Sequence, residues 1–134
     1  MLNQYKQLEE MVHSEFPDIV ISSRIIHKRA PGSAKLRLHF KDQTYMDIWL
    51  TETGKYSYHW EQRAIRGLIH RHDNAPDHPE INTFPKHFHD GDEQNVAPSY
   101  LPDEPLSAAR KFLESIRQFL KSPFGFFDPG KDER

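Results

Sequence analysis

The chain has 134 residues, with 18 Lys+Arg against 20 Asp+Glu, no cysteine, nine histidines and ten prolines, a length suited to one domain with a modest core. The lack of cysteine excludes a disulfide scaffold, a thiolate metal site and a cysteine nucleophile. A mean hydropathy of −0.83, with no apolar run near the ~20 residues of a membrane helix, excludes a spanning segment, and a net charge of −2 gives no bulk-charge signal for a polyanionic partner.

The first residues, MLNQYKQLEE, lack the basic-then-apolar pattern of a signal peptide, so a cytoplasmic location is expected. Leu2, Tyr5, Leu8, Val12 and Phe16 recur at helical spacing and predict a helix that Pro17 stops. The β-branched Ile19-Val20-Ile21 and Ile25-Ile26 suit a strand, and Ala30-Pro31-Gly32-Ser33 a turn. Leu36, Leu38 and Phe40 alternate with Lys35, Arg37 and His39, which predicts a half-buried second strand. After a turn at Asp42-Gln43, Met46, Ile48 and Leu50 alternate with Tyr45, Asp47 and Trp49. After Thr53-Gly54, Tyr56, Tyr58 and Trp60 alternate with Lys55, Ser57, His59 and Glu61. A fifth strand is expected from roughly Ile65 to Asp73, and the short connections imply an antiparallel meander of about five strands.

From Asp73 to Leu101 no period is visible, and Pro76, Pro79, Pro85 and Pro98 interrupt the chain. A long Pro/His-rich loop is expected, anchored by Ile81, Phe84, Phe88 and Tyr100, and such loops are often functional. Asp103 is the expected N-cap of a last helix, with Pro105 in its first turn. Leu106, Ala109, Phe112, Leu113, Ile116, Phe119 and Leu120 form its apolar stripe. The fold class is therefore α+β: a meander sheet flanked by an N-terminal and a C-terminal helix. Residues 1–122 make one domain, and residues 123–134 a Phe-rich tail that packs on the domain or meets a partner.

Charge is uneven along the chain. Between Ile19 and Lys41 stand six basic residues and no acidic one, and between Asp73 and Glu104 eight acidic residues and one lysine, Lys86. Such a division predicts a bipolar surface. Six of the nine histidines (59, 70, 72, 78, 87 and 89) fall between residues 59 and 89. Together with Arg71 and the aromatics, they allow metal-free cleavage of RNA. That chemistry needs a base for the 2′-OH, an acid for the leaving oxygen and a cation for the phosphorane; histidine suits the first two and arginine the third. Tyr58 or Trp60 could stack a base, although His59 lies on the opposite strand face. A metal site is a second possibility: His70 and His72, or His87 and His89, lie at i and i+2, with His78 and Glu80 nearby. A third is that these histidines satisfy loop backbone and fill gaps beside prolines. Trp49 and Trp60 are expected in the sheet core. No phosphate-binding glycine loop, H-E-x-x-H or G-x-S-x-G motif is present.

Tyr56-Ser57-Tyr58-His59-Trp60, Arg71, Asp73-Asn74-Ala75-Pro76, His78-Pro79-Glu80, Thr83-Phe84-Pro85, His87, His89 and Gly91 together resemble the TumE-type toxins of bacterial and archaeal toxin–antitoxin pairs, over roughly residues 20 to 120. Three positions depart from the family pattern: His70 and His72 stand where aromatic residues are expected, and Lys86 where a histidine is expected. The resemblance implies a growth-inhibiting protein with a helix-turn-helix antitoxin as partner. By analogy with other small toxins it points to RNA as target. On this basis His59, Arg71, His78, His87 and His89 are candidate catalytic groups, His78 or His87 as base or acid and Arg71 as phosphate clamp. Tyr58, Asp73, Asn74, Glu80 and Lys86 are candidate substrate contacts. No metal or other cofactor is assigned, and a homodimer is left open. The alternative function is a non-enzymatic module that binds nucleic acid or protein through the basic 19–41 and acidic 73–104 segments.

Overall fold

Along residues 35–62 the apolar set of each strand turns to one side. Leu36, Leu38, Phe40, Met46, Ile48, Leu50, Tyr58 and Trp60 are buried, and the residues between them remain partly open on the other face. The structure, a computed structural model, describes residues 1–27 and 33–121. Its elements are α1 (Leu2–Glu15), β1 (Val20–Ile26), β2 (Lys35–Phe40), β3 (Tyr45–Leu50), β4 (Tyr56–Gln62), α2 (Arg63–Arg66), β5 (Leu68–Asp73), β6 (His87–Gly91), β7 (Val96–Pro98) and α3 (Pro105–Lys121). The strands form one antiparallel sheet in chain order.

The expected meander is present, but it has seven strands, not about five. The added pair lies inside the stretch expected to be a loop. Its β6 carries His87, Phe88 and His89, all buried, so polar side chains stand where an apolar face would have signalled a strand. β7 has three residues and ends on Pro98, tolerated there because the strand is at the sheet edge. The fifth strand also starts later than Ile65. Arg63–Arg66 form one helical turn, closed by Gly67 at φ 73°, a left-handed conformation open to glycine without steric cost.

Both long helices pack on the apolar face. Tyr5, Leu8, Met11 and Val12 of α1 and Ala108, Ala109, Phe112, Leu113 and Ile116 of α3 join the sheet residues in one core. Leu2 belongs to the same sequence stripe but is exposed. Glu104, not Asp103, caps α3: its carboxylate accepts the amides of Leu106 at 3.0 Å and Ser107 at 2.9 Å, while Asp103 pairs with Lys86 at 3.1 Å. Among the described residues no helix is long and apolar enough to cross a membrane. Residues 30–32 of the first predicted turn, and the Phe-rich tail, lie outside the described residues.

α1 is tied to the sheet by more than apolar contact. The buried Tyr5 hydroxyl accepts the Leu50 amide at 2.9 Å and donates to the Ala34 carbonyl at 2.9 Å. Tyr5→Phe keeps the ring and leaves two main-chain groups without this partner. We expect it to lower unfolding free energy by about 1–3 kcal/mol in a denaturant titration; an unchanged midpoint would show that these two bonds add nothing net.

Candidate functional site

The face of the sheet opposite the helices carries the polar half of the alternation. Across it runs a row in register: Arg37 opposite Asp47, Asp47 opposite His59, His59 opposite Arg71, Arg71 opposite His89. A parallel row holds Trp49, Ser57, Asp73 and His87. Adjacent strands lie about 4.8 Å apart, so residues remote in sequence stand side by side. Residues 74–86 then fold back over the β5–β6 end of this face, leaving His87 and His89 only 2% and 5% exposed. Successive backbone turns order this segment, with Ile81 amide to His78 carbonyl at 3.1 Å, Phe84 to Ile81 at 3.0 Å and Lys86 to Thr83 at 2.8 Å. The Thr83 hydroxyl adds bonds to the Lys86 carbonyl and from the Ser99 amide. Of the expected aromatic anchors, Phe88 is a core residue, whereas Phe84 and Tyr100 are exposed.

Asp73, at the end of β5, is the centre of this site. Its carboxylate accepts Arg71 Nε at 2.9 Å and the Ala75 amide at 3.0 Å. It faces His87 Nε2 at 3.1 Å and His89 Nε2 at 3.6 Å. Burial alone would raise its pKa, but nearby His89, the hydrogen bonds from the Ala75 amide and Arg71, and the charge of His87 outweigh burial and hold it well below the usual carboxylate range. The remaining ring nitrogens face main chain: Nδ1 of His87 donates to the Pro85 carbonyl at 3.0 Å, and Nδ1 of His89 to the Glu93 carbonyl at 2.9 Å. His78 completes a triangle from the loop, its ring 4.8 Å from that of His87 and 5.8 Å from that of His89.

Arg71 joins this cluster to its surroundings. Besides Asp73, its guanidinium grips Glu93 with two bonds, at 3.0 and 2.6 Å, and reaches His59 Nδ1 at 3.3 Å. Because arginine only donates, His59 accepts at Nδ1 and gives Nε2–H to Glu61 at 2.9 Å. Burial, aided by Arg71 and opposed by Glu61, lowers the His59 pKa and favours this neutral form. Arg71, Asp73, His78, His87, His89 and Glu93 line a cleft of about 650 Å³ between sheet and loop, together with Trp49, Ser57 and Asn74. A shallower cleft of about 400 Å³, lined by Lys35, Asp47 and His59, shares Trp49, Ser57 and Arg71 with it, so the two form one groove.

The other candidates separate. Tyr58 is 1% exposed on the helix side, so it cannot stack a base; strand parity puts it with Trp60 in the core. Trp49, expected in the core, instead faces the groove. Its alternation with Ile48 and Leu50 is the signal that places it there. Asn74 clamps the entrance, accepting the Tyr56 amide at 3.0 Å and donating to the Gly54 carbonyl at 2.8 Å. Glu80 lies beside His78 at 3.4 Å with an exposed side chain and does not line the groove. Lys86 turns away, to the Leu101 carbonyl at 2.5 Å and to Asp103. His70 and His72 lie on the core side, so they form no metal pair with the cluster. His70 stacks on Trp60 and Phe88. His72 stacks on Phe88 with centroids 4.3 Å apart and bonds Ser99 Oγ at 2.7 Å, and burial pushes its pKa well down. Both fill the places of flat aromatic rings. The expected bipolar surface is also reduced, because Lys35 and Arg37 both meet Asp47, at 2.8 and 2.7 Å.

A family model described as Toxin TumE matches residues 8–120. The chain belongs to the TumE toxin family. Membership makes it a toxin component of a toxin–antitoxin system, with an antitoxin as partner. No curated protein sequence and no solved structure matches it. The match spans β1 to β7 and most of α3, so every residue of this TumE site lies within it.

The depressed Asp73 pKa has a measurable consequence. With the folded-state value below the unfolded one, the carboxylate's contribution to stability is fully present above the unfolded value, about 3.9, and is lost as pH falls toward the folded value. Asp73→Asn should therefore be less stable than wild type at neutral pH, and the gap should narrow below about pH 4. Denaturant midpoints across this range check it; a gap of constant size would mean that the charge of Asp73 contributes nothing.

Proposed function

We propose that this TumE toxin inhibits growth by cleaving RNA in the groove, next to Arg71 and the histidine cluster. The observation that supports it best is the convergence of one arginine, three imidazoles and a buried carboxylate in a single cleft, with an aromatic ring at its side. In the reaction, the 2′-oxygen of a ribose attacks the neighbouring phosphorus, and its proton is taken up at the histidine cluster. The bond from phosphorus to the 5′-oxygen breaks, and that oxygen leaves with a proton. Arg71 supplies the charge opposite the phosphorane through its planar fork. Trp49 offers a face on which an unpaired base can stack. Of the three clustered imidazoles, His78 is the most open, with its side chain 28% exposed.

Glu93 now occupies the Arg71 fork, bidentately, with Arg63 as a third contact at 3.1 Å. A carboxylate held this way marks the place where a phosphate would bind. Glu93 is partly exposed on the β6–β7 turn, so it can leave without opening the core. The antitoxin, of the helix-turn-helix type in this proposal, would act by blocking this groove or by binding elsewhere on the chain.

Expression of the full chain without its antitoxin should arrest growth and degrade cellular RNA. Arg71→Lys keeps the charge but loses the fork, and should lower cleavage by about tenfold or more. Glu93→Gln should raise RNA affinity by up to about fivefold, the scale of one exposed ion pair. Growth arrest with intact RNA would reject cleavage and favour a binding module; normal growth with a folded, abundant chain would reject both.

A further inference from the structure

We propose that His78, His87 and His89 form a site for one divalent transition-metal ion of the zinc class. Among the described residues these are the three whose donor atoms converge, all within 4.8 Å of one another. An ion bound by imidazoles at about 2.0–2.1 Å needs its donors about 3.3 Å apart, so modest side-chain movement closes the site. The rings come from alternate residues of β6 and from the loop above it, so two ligands are fixed by the sheet and the third approaches from the cleft side.

The rings are also oriented as ligands. His87 and His89 each commit Nδ1–H to a main-chain carbonyl, at 3.0 and 2.9 Å. That arrangement sets the tautomer and presents Nε2 as the binding atom, as the outer hydrogen bonds of metal-bound histidines do. Both Nε2 atoms face the Asp73 carboxylate, at 3.1 and 3.6 Å. Electron-rich groups that face one another out of water need a positive charge between them, either ring protons or a metal ion. The donor set, three imidazoles with a carboxylate beside them and no thiolate, suits zinc and its first-row neighbours and not magnesium or calcium, which prefer oxygen. A bound ion would lower the pKa of a coordinated water, whose hydroxide could then accept the 2′-OH proton.

Metal binding is measured without RNA, so it can fail while RNA cleavage stands, and cleavage can fail while binding stands. The full-length, tag-free chain is stripped with chelator and titrated with Zn²⁺ by calorimetry and with Co²⁺ by visible absorption. One equivalent of either ion is expected to bind, with the intense Co²⁺ bands of a low-symmetry nitrogen site. His78→Ala removes the partly open ligand with least damage to packing and should weaken binding by more than about 100-fold, while Asp73→Asn should weaken it by about 10- to 100-fold. His13→Ala, on the far side of the sheet, should leave it unchanged. Absence of saturable binding by the folded wild type, or binding that His78→Ala and His87→Ala both leave intact, would overturn the proposal.

Discussion

A carboxylate that is 8% exposed has to be met by donors or cations on every side, and at Asp73 those donors come from three parts of the chain. Arg71 reaches it from two residues earlier on β5, the Ala75 amide from the start of the loop, and His87 and His89 from β6. Meeting that one charge sets the direction in which the chain leaves β5 and the orientation of two imidazoles. It also supports the register that puts Asp73 opposite His87. Arg71 passes the constraint outward to His59 on β4 and to Glu93 beyond β6. Site geometry and local stability are thus one network, and groups in such a network act jointly rather than as separate pairs.

Where a strand has one dry face, its sequence shows it. The alternation of Leu36, Leu38 and Phe40, then of Met46, Ile48 and Leu50, follows from period-two geometry, and both long helices follow from stripes at helical spacing. β6 was hidden because its outward residues are histidines buried under a loop, and no property of the strand alone announces the loop that covers it. The two tryptophans show the difference between residue type and position. Both are large and apolar, yet only Trp60 shares the parity of the core, and its indole N–H finds Thr44 Oγ1 at 2.8 Å. His70 and His72 show the reverse, polar residues acting as flat rings among aromatics.

The architecture explains why the chemistry-bearing groups collect where they do. Both long helices occupy one side of the sheet, so the other side keeps its polar rows accessible except where residues 74–86 cover them. A meander brings sequential strands together through short turns, and the one long connection, between β5 and β6, is free to become a wall of the groove. Charged residues of both stretches are paired within this framework, Lys35 and Arg37 with Asp47, and Lys86 with Asp103.

Under the proposed function, the grip of Arg71 on Glu93 would make the protein a competitor for its own phosphate seat. A tethered carboxylate behaves as though present at millimolar or higher effective concentration. A lone phosphate would then bind up to about fivefold more weakly than it would to an unoccupied fork. A polymer that also touched Trp49 and Lys35 along the groove would gain several contacts for the loss of one. If the proposed function holds, the internal ion pair would raise the threshold for any anion at this seat, and so favour a strand that spans the groove over its single-residue fragments.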